Sequence, residues 1–137
     1  YREYFESILE NLHTNVDFDV YGHIDYVVRY GPNTNKFYSY KKFSDIIDEI
    51  LRTLISMGKG IEINTGGLAK QLKNIHPLPE VLRRYKNLGG EIITIGSDAH
   101  TAKDLIRYFS VAEQVLSSLD IKYYTVFEKR KPIMKKF

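Results

Sequence analysis

Three short apolar segments of the sequence each end in a pair of polar side chains. The pairs are His23 with Asp25, Glu62 with Asn64, and Asp98 with His100. One residue separates the members of each pair, so an extended backbone points both side chains the same way. Imidazole and carboxylate groups suit Zn, Mn or Fe, and the sequence has no cysteine for a thiolate site. The pattern predicts a metal site, with a turn at His23 and a helix-capping turn at Ser97-Asp98 as the alternatives.

Glu62 is a charged residue inside an apolar strand. It lies between Ile61 and Ile63, and because a carboxylate is costly to bury alone, it must face a polar cavity or be paired. Two roles remain open for it, orientation of a ligand or substrate and a structural ion pair. His13 and His76 belong to no such group, and we expect them on the surface or in loops.

Cationic side chains in loops that follow strands are candidates for binding phosphate. They are Arg29, Lys70 and Lys73, and simple solvation is the alternative for each. The sequence contains no P-loop, no G-x-G-x-x-G and no G-x-S-x-G motif, which argues against those routes to nucleotide binding and to a serine nucleophile. A metal-activated water is therefore the best candidate for the nucleophile.

Apolar periodicity predicts that helices alternate with strands along the chain. The predicted helices cover about 2–13, 44–57, 80–87 and 102–119, and the predicted strands cover 18–21, 61–64, 92–95 and 123–127. This alternation favours the α/β class, with a partial (β/α) barrel of about four mostly parallel strands. The carboxyl ends of parallel strands share one face, where barrel active sites form.

Finer features of these elements are predicted as well. Ser44 should cap the helix that begins there, and Thr101 should cap the helical segment that follows it. Leu105 and Ile106 fall at apolar helical positions and are expected to be buried. The polar and aromatic segment 33–40 should form a loop that is long enough to cover a pocket.

The size and composition of the chain, 137 residues with 43% apolar, fit one globular domain or part of a larger one. No apolar run reaches the roughly 20 residues of a membrane span, so we expect no membrane partner. The absence of cysteine suits a cytoplasmic enzyme. The net charge of +3 is mild, and the basic C-terminal residues predict a solvated terminus rather than a nucleic-acid interface. Because the chain begins with Tyr1, we expect a processed product or a fragment of a longer polypeptide.

Three motifs resemble the polymerase-and-histidinol-phosphatase (PHP) superfamily. They are Tyr21-Gly-His-Ile-Asp25, Gly60-Ile-Glu-Ile-Asn-Thr65 and Ile95-Gly-Ser-Asp-Ala-His100, in this order. The best match is to the monofunctional histidinol-phosphate phosphatases of histidine biosynthesis. The resemblance implies a distorted seven-stranded β/α barrel with a multinuclear metal centre. Its metal ions, commonly Zn, Mn or Fe, would activate water to hydrolyse a phosphomonoester, here L-histidinol phosphate.

The resemblance also implies roles for individual residues. These are metal ligands for His23, Asp98 and His100, catalytic groups for Asp98 and His100, and substrate-binding groups for Arg29, Glu62 and Asn64. Asp98 would ligate a metal ion and help to orient the attacking water. The two imidazoles would bind in their neutral form, so activity should fall as the pH drops through their titration.

The sequence departs from the superfamily in what it lacks. The superfamily opens with a His-x-His motif, and further His and Glu ligands precede its Gly-His-x-Asp motif, but none of these is present here. Residues 1–137 therefore resemble the C-terminal portion of a single PHP-like domain, and the activity would belong to the full-length parent. We expect the chain to pair with a copy of itself or to have been cut from a longer protein. The alternatives are an inactive half-domain that folds by oligomerising and a polymerase-associated PHP nuclease or phosphoesterase.

Overall fold

The computed structural model describes residues 1–14, 17–31, 36–69 and 73–137 as a mixed α/β fold. Its helices are α1 (Arg2–Leu12), α2 (Ser44–Ser56), α3 (Pro79–Asn87) and α4 (Phe109–Ser118). Its strands are β1 (Val20–Tyr21), β2 (Gly60–Asn64), β3 (Ile93–Gly96), β4 (Tyr123–Glu128) and β5 (Lys131–Lys136). Short 3-10 turns cover Tyr26–Tyr30, Tyr40–Phe43, Gly66–Ala69 and Ala102–Asp104. The alternation of helices and strands up to α4 confirms the α/β prediction.

A parallel sheet in the order β1-β2-β3 positions the polar residues at its carboxyl end. Ile61 of β2 is aligned with Tyr21 on one side and with Ile93 on the other, and Asn64 is aligned with Gly96. The isoleucines of β2 are fully buried, as is typical of a parallel strand that is covered on both faces. This register brings the ends of β2 and β3 to the same level.

The helices supply the core that holds this sheet. Helix α1 packs on α2, and α2 packs on α3. The buried apolar side chains of α2 recur at helical spacing and are Ile46, Ile47, Ile50, Leu51 and Leu54. Each such side chain contributes about 1.5–3 kcal/mol when it is fully buried. An ion pair joins α3 to α2, because Arg84 donates to the carboxylate of Asp48 at 2.6–3.0 Å.

The strand predicted at 123–127 is present as β4, but it is antiparallel and not part of the parallel array. It forms a two-stranded hairpin with β5. The turn residues Lys129 and Arg130 have φ values of 48° and 65°, the left-handed conformation that tight hairpin turns require. Neither is Gly or Asn, so the sequence lacks the usual hairpin signal and predicts a solvated basic terminus instead. Arg130 anchors the hairpin by pairing with Asp17 and Asp19.

The helix predicted over 102–119 begins only at Phe109, as helix α4. Ile106 and Tyr108 have φ values of 55° and 60°, which interrupt the helical backbone. As a result Leu105 and Ile106 are 61% and 72% exposed, and the prediction that they are buried is wrong. Thr101 does not cap a backbone N–H, because its hydroxyl donates to the Asp104 carboxylate at 2.7 Å.

The predicted cap of α2 is also wrong. Ser44 is the first helical residue rather than the cap, and its hydroxyl donates to the Lys41 carbonyl oxygen at 3.2 Å. Residues 33–35 of the predicted loop lie outside the described residues, whereas Tyr38 in the same segment is buried. Across the described ranges, no helix combines the length and apolar character that crossing a membrane requires.

Candidate active site

Arg29 is the centre of a polar cluster at the carboxyl ends of β2 and β3. Its side chain is only 8% exposed and projects from the 3-10 turn Tyr26–Tyr30. Its Nη1 donates to Asp98 Oδ2 at 2.8 Å, and its Nη2 donates to Asn64 Oδ1 at 3.0 Å. The hydrogen bond from this guanidinium holds the pKa of the Asp98 carboxyl below its usual value, although desolvation opposes the effect. The cluster therefore contains a carboxylate that stays ionised and a cation that is held in place.

Asn64 links Arg29 to Glu62. Its Oδ1 also accepts the Gly66 N–H at 2.9 Å, and its Nδ2 donates to Glu62 Oε2 at 3.2 Å. The same Glu62 oxygen accepts the His23 backbone N–H at 3.2 Å. In the described part of the chain the partners of Glu62 are thus an amide and a backbone N–H, which favours an orienting role over a structural ion pair.

Two residues near the strand ends shape this cluster without joining it. A Cβ at Gly96 would overlap Glu62 Oε1, so a larger residue there would displace the carboxylate. Thr65 is fully buried, and its hydroxyl donates to the Arg107 carbonyl oxygen at 2.6 Å. Thr65 therefore ties the segment that follows β3 to the end of β2, a role that the sequence does not predict.

The two histidines predicted as metal ligands lie in different environments. His23 has a φ of 29°, and its buried Nδ1 has no hydrogen-bond partner among residues 1–14, 17–31, 36–69 and 73–137. His100 is exposed, and its Nδ1 lies 2.8 Å from the Asp98 carbonyl oxygen. Because a carbonyl oxygen can only accept, this Nδ1 carries a proton, and in the neutral imidazole Nε2 is the nitrogen with the free lone pair. After the hydrogen bond from Arg29, the positive charge that each imidazole carries when protonated also contributes to the lowered pKa of Asp98.

The chemistry of these groups fits a divalent metal ion. Imidazole nitrogen and carboxylate oxygen are ordinary ligands of zinc, and the orphaned Nδ1 of His23 is a buried polar atom that a ligand could satisfy. Within the described residues, however, no group of three or more His, Asp or Glu side chains converges to hold an ion by itself. The predicted ligands thus form at most part of a coordination shell in this portion of the chain.

Asp25 points into the interior instead of joining the cluster. Its buried carboxylate accepts hydrogen bonds from His76 Nδ1 at 2.7 Å, from the Tyr38 hydroxyl at 3.1 Å and from the Leu78 N–H at 3.0 Å. His76 lies in an irregular segment but is only 1% exposed, so the expectation of a surface position is wrong. Its backbone pairs with that of Asn64. Periodic patterns in the sequence do not predict this contact between distant segments.

The remaining candidates contribute little to the cluster. Lys73 is exposed, Lys70 lies outside the described residues, and His13 is exposed at the end of α1 as expected. Sequence reasoning missed Tyr26, whose ring contacts both His23 and Arg29. The sequence feature that could have identified Tyr26 is its position three residues after His23 and three residues before Arg29.

Comparison with known proteins gives an independent measure of relatedness. Residues 1–66 match the PHP domain family. The histidinol-phosphatase of Lactococcus lactis is 40% identical over 102 residues, which cover 74% of this chain and 38% of that protein. A relative from Clostridium acetobutylicum is 35% identical over 129 residues, which cover 93% of this chain and 49% of that protein.

A solved structure agrees with these sequence matches. It is the crystal structure of histidinol phosphate phosphatase from Lactococcus lactis, complexed with Zn, L-histidinol and phosphate. The two folds align with a TM-score of 0.81 and 32% identity, over 96% of this chain and 50% of that one. The chain spans about half, or less, of the length of the relatives that it matches. The resemblance is thereby confirmed: residues 1–66 match the PHP domain family, and the chain is similar to histidinol-phosphatases over most of its length.

Proposed function

We propose that this chain takes part in the metal-dependent hydrolysis of a phosphomonoester, L-histidinol phosphate, to L-histidinol and phosphate. The observation that carries the proposal is the contact of Arg29 with Asp98 and Asn64 at the carboxyl ends of β2 and β3. It places a cation that suits phosphate beside a carboxylate that suits a metal ion. The relationship to histidinol-phosphatases supports this substrate class.

His23, Asp98 and His100 would each serve as a metal ligand in this proposal, and together they would supply part of the coordination shell. Their nitrogen and oxygen donors suit Zn, Mn or Fe, and the related Lactococcus lactis structure contains Zn. When bound, such an ion supplies Lewis acidity, which lowers the pKa of a water molecule and neutralises charge on phosphate. The lowered pKa of Asp98 keeps its carboxylate available as a ligand at neutral pH.

Arg29 would bind the oxygens of the substrate phosphate. Its guanidinium has five N–H donors, and its Nε is buried without a partner in the described structure. Asn64 would keep the guanidinium in place, and Glu62 would fix the amide of Asn64. In the reaction, the water oxygen bonds to phosphorus and the water gives up a proton, while the bond from phosphorus to the alcohol oxygen breaks and that oxygen takes up a proton.

We further infer that the fold is the C-terminal half of a seven-stranded barrel in a cytoplasmic enzyme, and that either a second copy of the chain or the rest of a longer polypeptide completes it. Strand β1 is a short edge of the sheet. Beside it lies a cavity of about 540 Å³ whose lining includes Tyr4, Phe18, Tyr21 and His23. A second copy seated there would cover the exposed strand edge and approach His23. Sedimentation at a mass of one 16.0 kDa chain at all concentrations would contradict completion by a second copy.

The proposed activity can be tested with two exposed histidines as a matched pair. We expect His100→Ala to lower zinc-dependent phosphate release from L-histidinol phosphate by roughly 10-fold or more, because loss of a metal contact weakens the site. His13→Ala should retain the wild-type rate, because His13 is exposed at the end of α1 and, within the described residues, is not among the hydrogen-bond partners of the cluster. Wild-type release and zinc content in His100→Ala would contradict the assignment.

An inactive half-domain is the second candidate function. The observation that favours it is that the described residues contain no group of three ligands that could hold a metal ion. This candidate predicts no phosphate release at any chain concentration. Release whose rate per chain rises with concentration would instead support a site completed by association.

A further inference from the structure

Tyr26 lies between two residues of the proposed site and contacts both. Its ring centroid is 4.5 Å from that of the His23 imidazole, with an angle of 33° between the planes. The Arg29 Cζ atom lies 4.6 Å from the same Tyr26 centroid, which is the geometry of a cation–π contact. Tyr26 thus joins the residue proposed to bind metal to the residue proposed to bind phosphate.

Local backbone structure explains why these three side chains meet. The Tyr26 N–H donates to the His23 carbonyl oxygen at 2.8 Å, which folds the chain back directly after His23. Residues 26–30 then form a 3-10 turn, in which side chains three residues apart lie above one another. Arg29 therefore falls over the ring of Tyr26.

The contact with Tyr26 helps to hold the His23 ring. Groups that orient a metal-binding histidine influence its metal affinity. Among the described residues, Nδ1 of His23 has no hydrogen-bond partner, and the backbone φ is 29°. Because no hydrogen bond from Nδ1 fixes the ring in this part of the chain, the aromatic contact with Tyr26 contributes to its orientation.

The ring of Tyr26 is itself held at its outer end. Its hydroxyl lies 2.6 Å from the hydroxyl of Tyr30, one turn further along the chain. Removal of this hydroxyl would break that hydrogen bond but leave the ring between His23 and Arg29. The ring and the hydroxyl can therefore be tested separately.

We propose that Tyr26 is a positioning residue whose ring sets the orientation of both His23 and Arg29. The roles of His23 and Arg29 rest on the proposed function, whereas the contact itself does not. Tyr26→Leu should release the imidazole and weaken zinc binding, because side chains that orient metal ligands affect metal affinity by about 10–100-fold. Tyr26→Phe keeps the ring and should bind zinc as the wild type does.

The experiment combines two measurements on the wild type, Tyr26→Leu and Tyr26→Phe. Zinc affinity is measured by titration calorimetry, and the ring-proton chemical shifts of His23 are measured by NMR, since a stacked aromatic ring moves them upfield. We expect Tyr26→Leu to lose the upfield shift and about 10-fold in zinc affinity, and Tyr26→Phe to keep both. Thermal unfolding of the variants shows that the fold is retained.

Two results would overturn the proposal. One is that Tyr26→Leu leaves both the His23 chemical shift and the zinc affinity unchanged. The other is that Tyr26→Leu and Tyr26→Phe lose zinc affinity and the upfield shift equally, which would show that the hydroxyl, not the ring, positions His23. Failure of the wild type to bind zinc would refute the proposed function instead. The His23 shift would still decide the role of Tyr26 in that case.

Discussion

Replacement of Asp25 tests whether the buried carboxylate organises the interior beneath the site. Asp25 is fully buried, and three donors converge on it, from His76, Tyr38 and Leu78. Burial and the neighbouring Asp25 carboxylate raise the pKa of the Tyr38 hydroxyl, which therefore remains a donor at neutral pH. Asp25→Ala would leave all of these donors without an acceptor.

The magnitude follows from the number of orphaned groups. A buried donor without a partner costs about 1–3 kcal/mol, and three donors lose their acceptor in this variant. Because local relaxation and water entry reduce a simple sum, we expect Asp25→Ala to lower the free energy of unfolding by about 3–5 kcal/mol. Asp25→Asn keeps one oxygen for Tyr38 and Leu78 and loses mainly the His76 contact, so we expect about 1–2 kcal/mol.

Urea unfolding followed by circular dichroism measures these changes. The control is Asp45→Ala, which removes an exposed carboxylate paired with Arg2 and should leave the unfolding midpoint close to that of the wild type. If Asp25→Ala is too unstable to study, the unfolding midpoint of Asp25→Asn decides the test. Unfolding midpoints for the Asp25 variants that equal the Asp45→Ala midpoint would refute the reasoning.

Three further predictions concern the helices and the hairpin. Arg84 lowers the pKa of Asp48 below its usual value of about 3.9, so their pair should stabilise the fold above that pH and lose its effect as the pH falls through the lowered pKa. Asp48→Asn should therefore flatten the acid side of the stability profile measured by urea unfolding, and an unchanged profile would contradict this. Leu51→Ala, at a fully buried position, should cost about 2–5 kcal/mol in the same assay, and a loss well below that range would contradict the packing. Arg130→Ala should speed amide exchange in Lys131–Lys136, and unchanged exchange there would show that its ion pairs do not anchor the hairpin.

The sequence predicts the parallel sheet well because its signals are local. Strands β2 and β3 lie within one residue of their predicted bounds, since β-branched runs bounded by glycine leave little choice of backbone. The hairpin and the late start of α4 could not be predicted in this way. Both depend on left-handed backbone at residues such as Arg130 and Tyr108, whose types do not favour it. Ion pairs and tertiary contacts stabilise these conformations, and such contacts leave no periodic pattern.

The candidate site was accessible to sequence reasoning only in part. Parallel strands that end at one level predict that Asn64 and Asp98 approach each other, and the structure places Arg29 in contact with both. The inward orientation of Asp25 was not predictable, because its partner His76 comes from a segment 51 residues away. The proposed roles in metal and phosphate binding stay predictions until they are measured.

The most direct test of the central proposal is phosphate release from L-histidinol phosphate by this 137-residue chain in the presence of Zn. The proposal predicts release that stops when a chelator removes the metal and returns when Zn is restored in excess. Release that is insensitive to the chelator would contradict a metal-dependent reaction. The absence of release at all chain concentrations would contradict a site assembled by this chain and its copies.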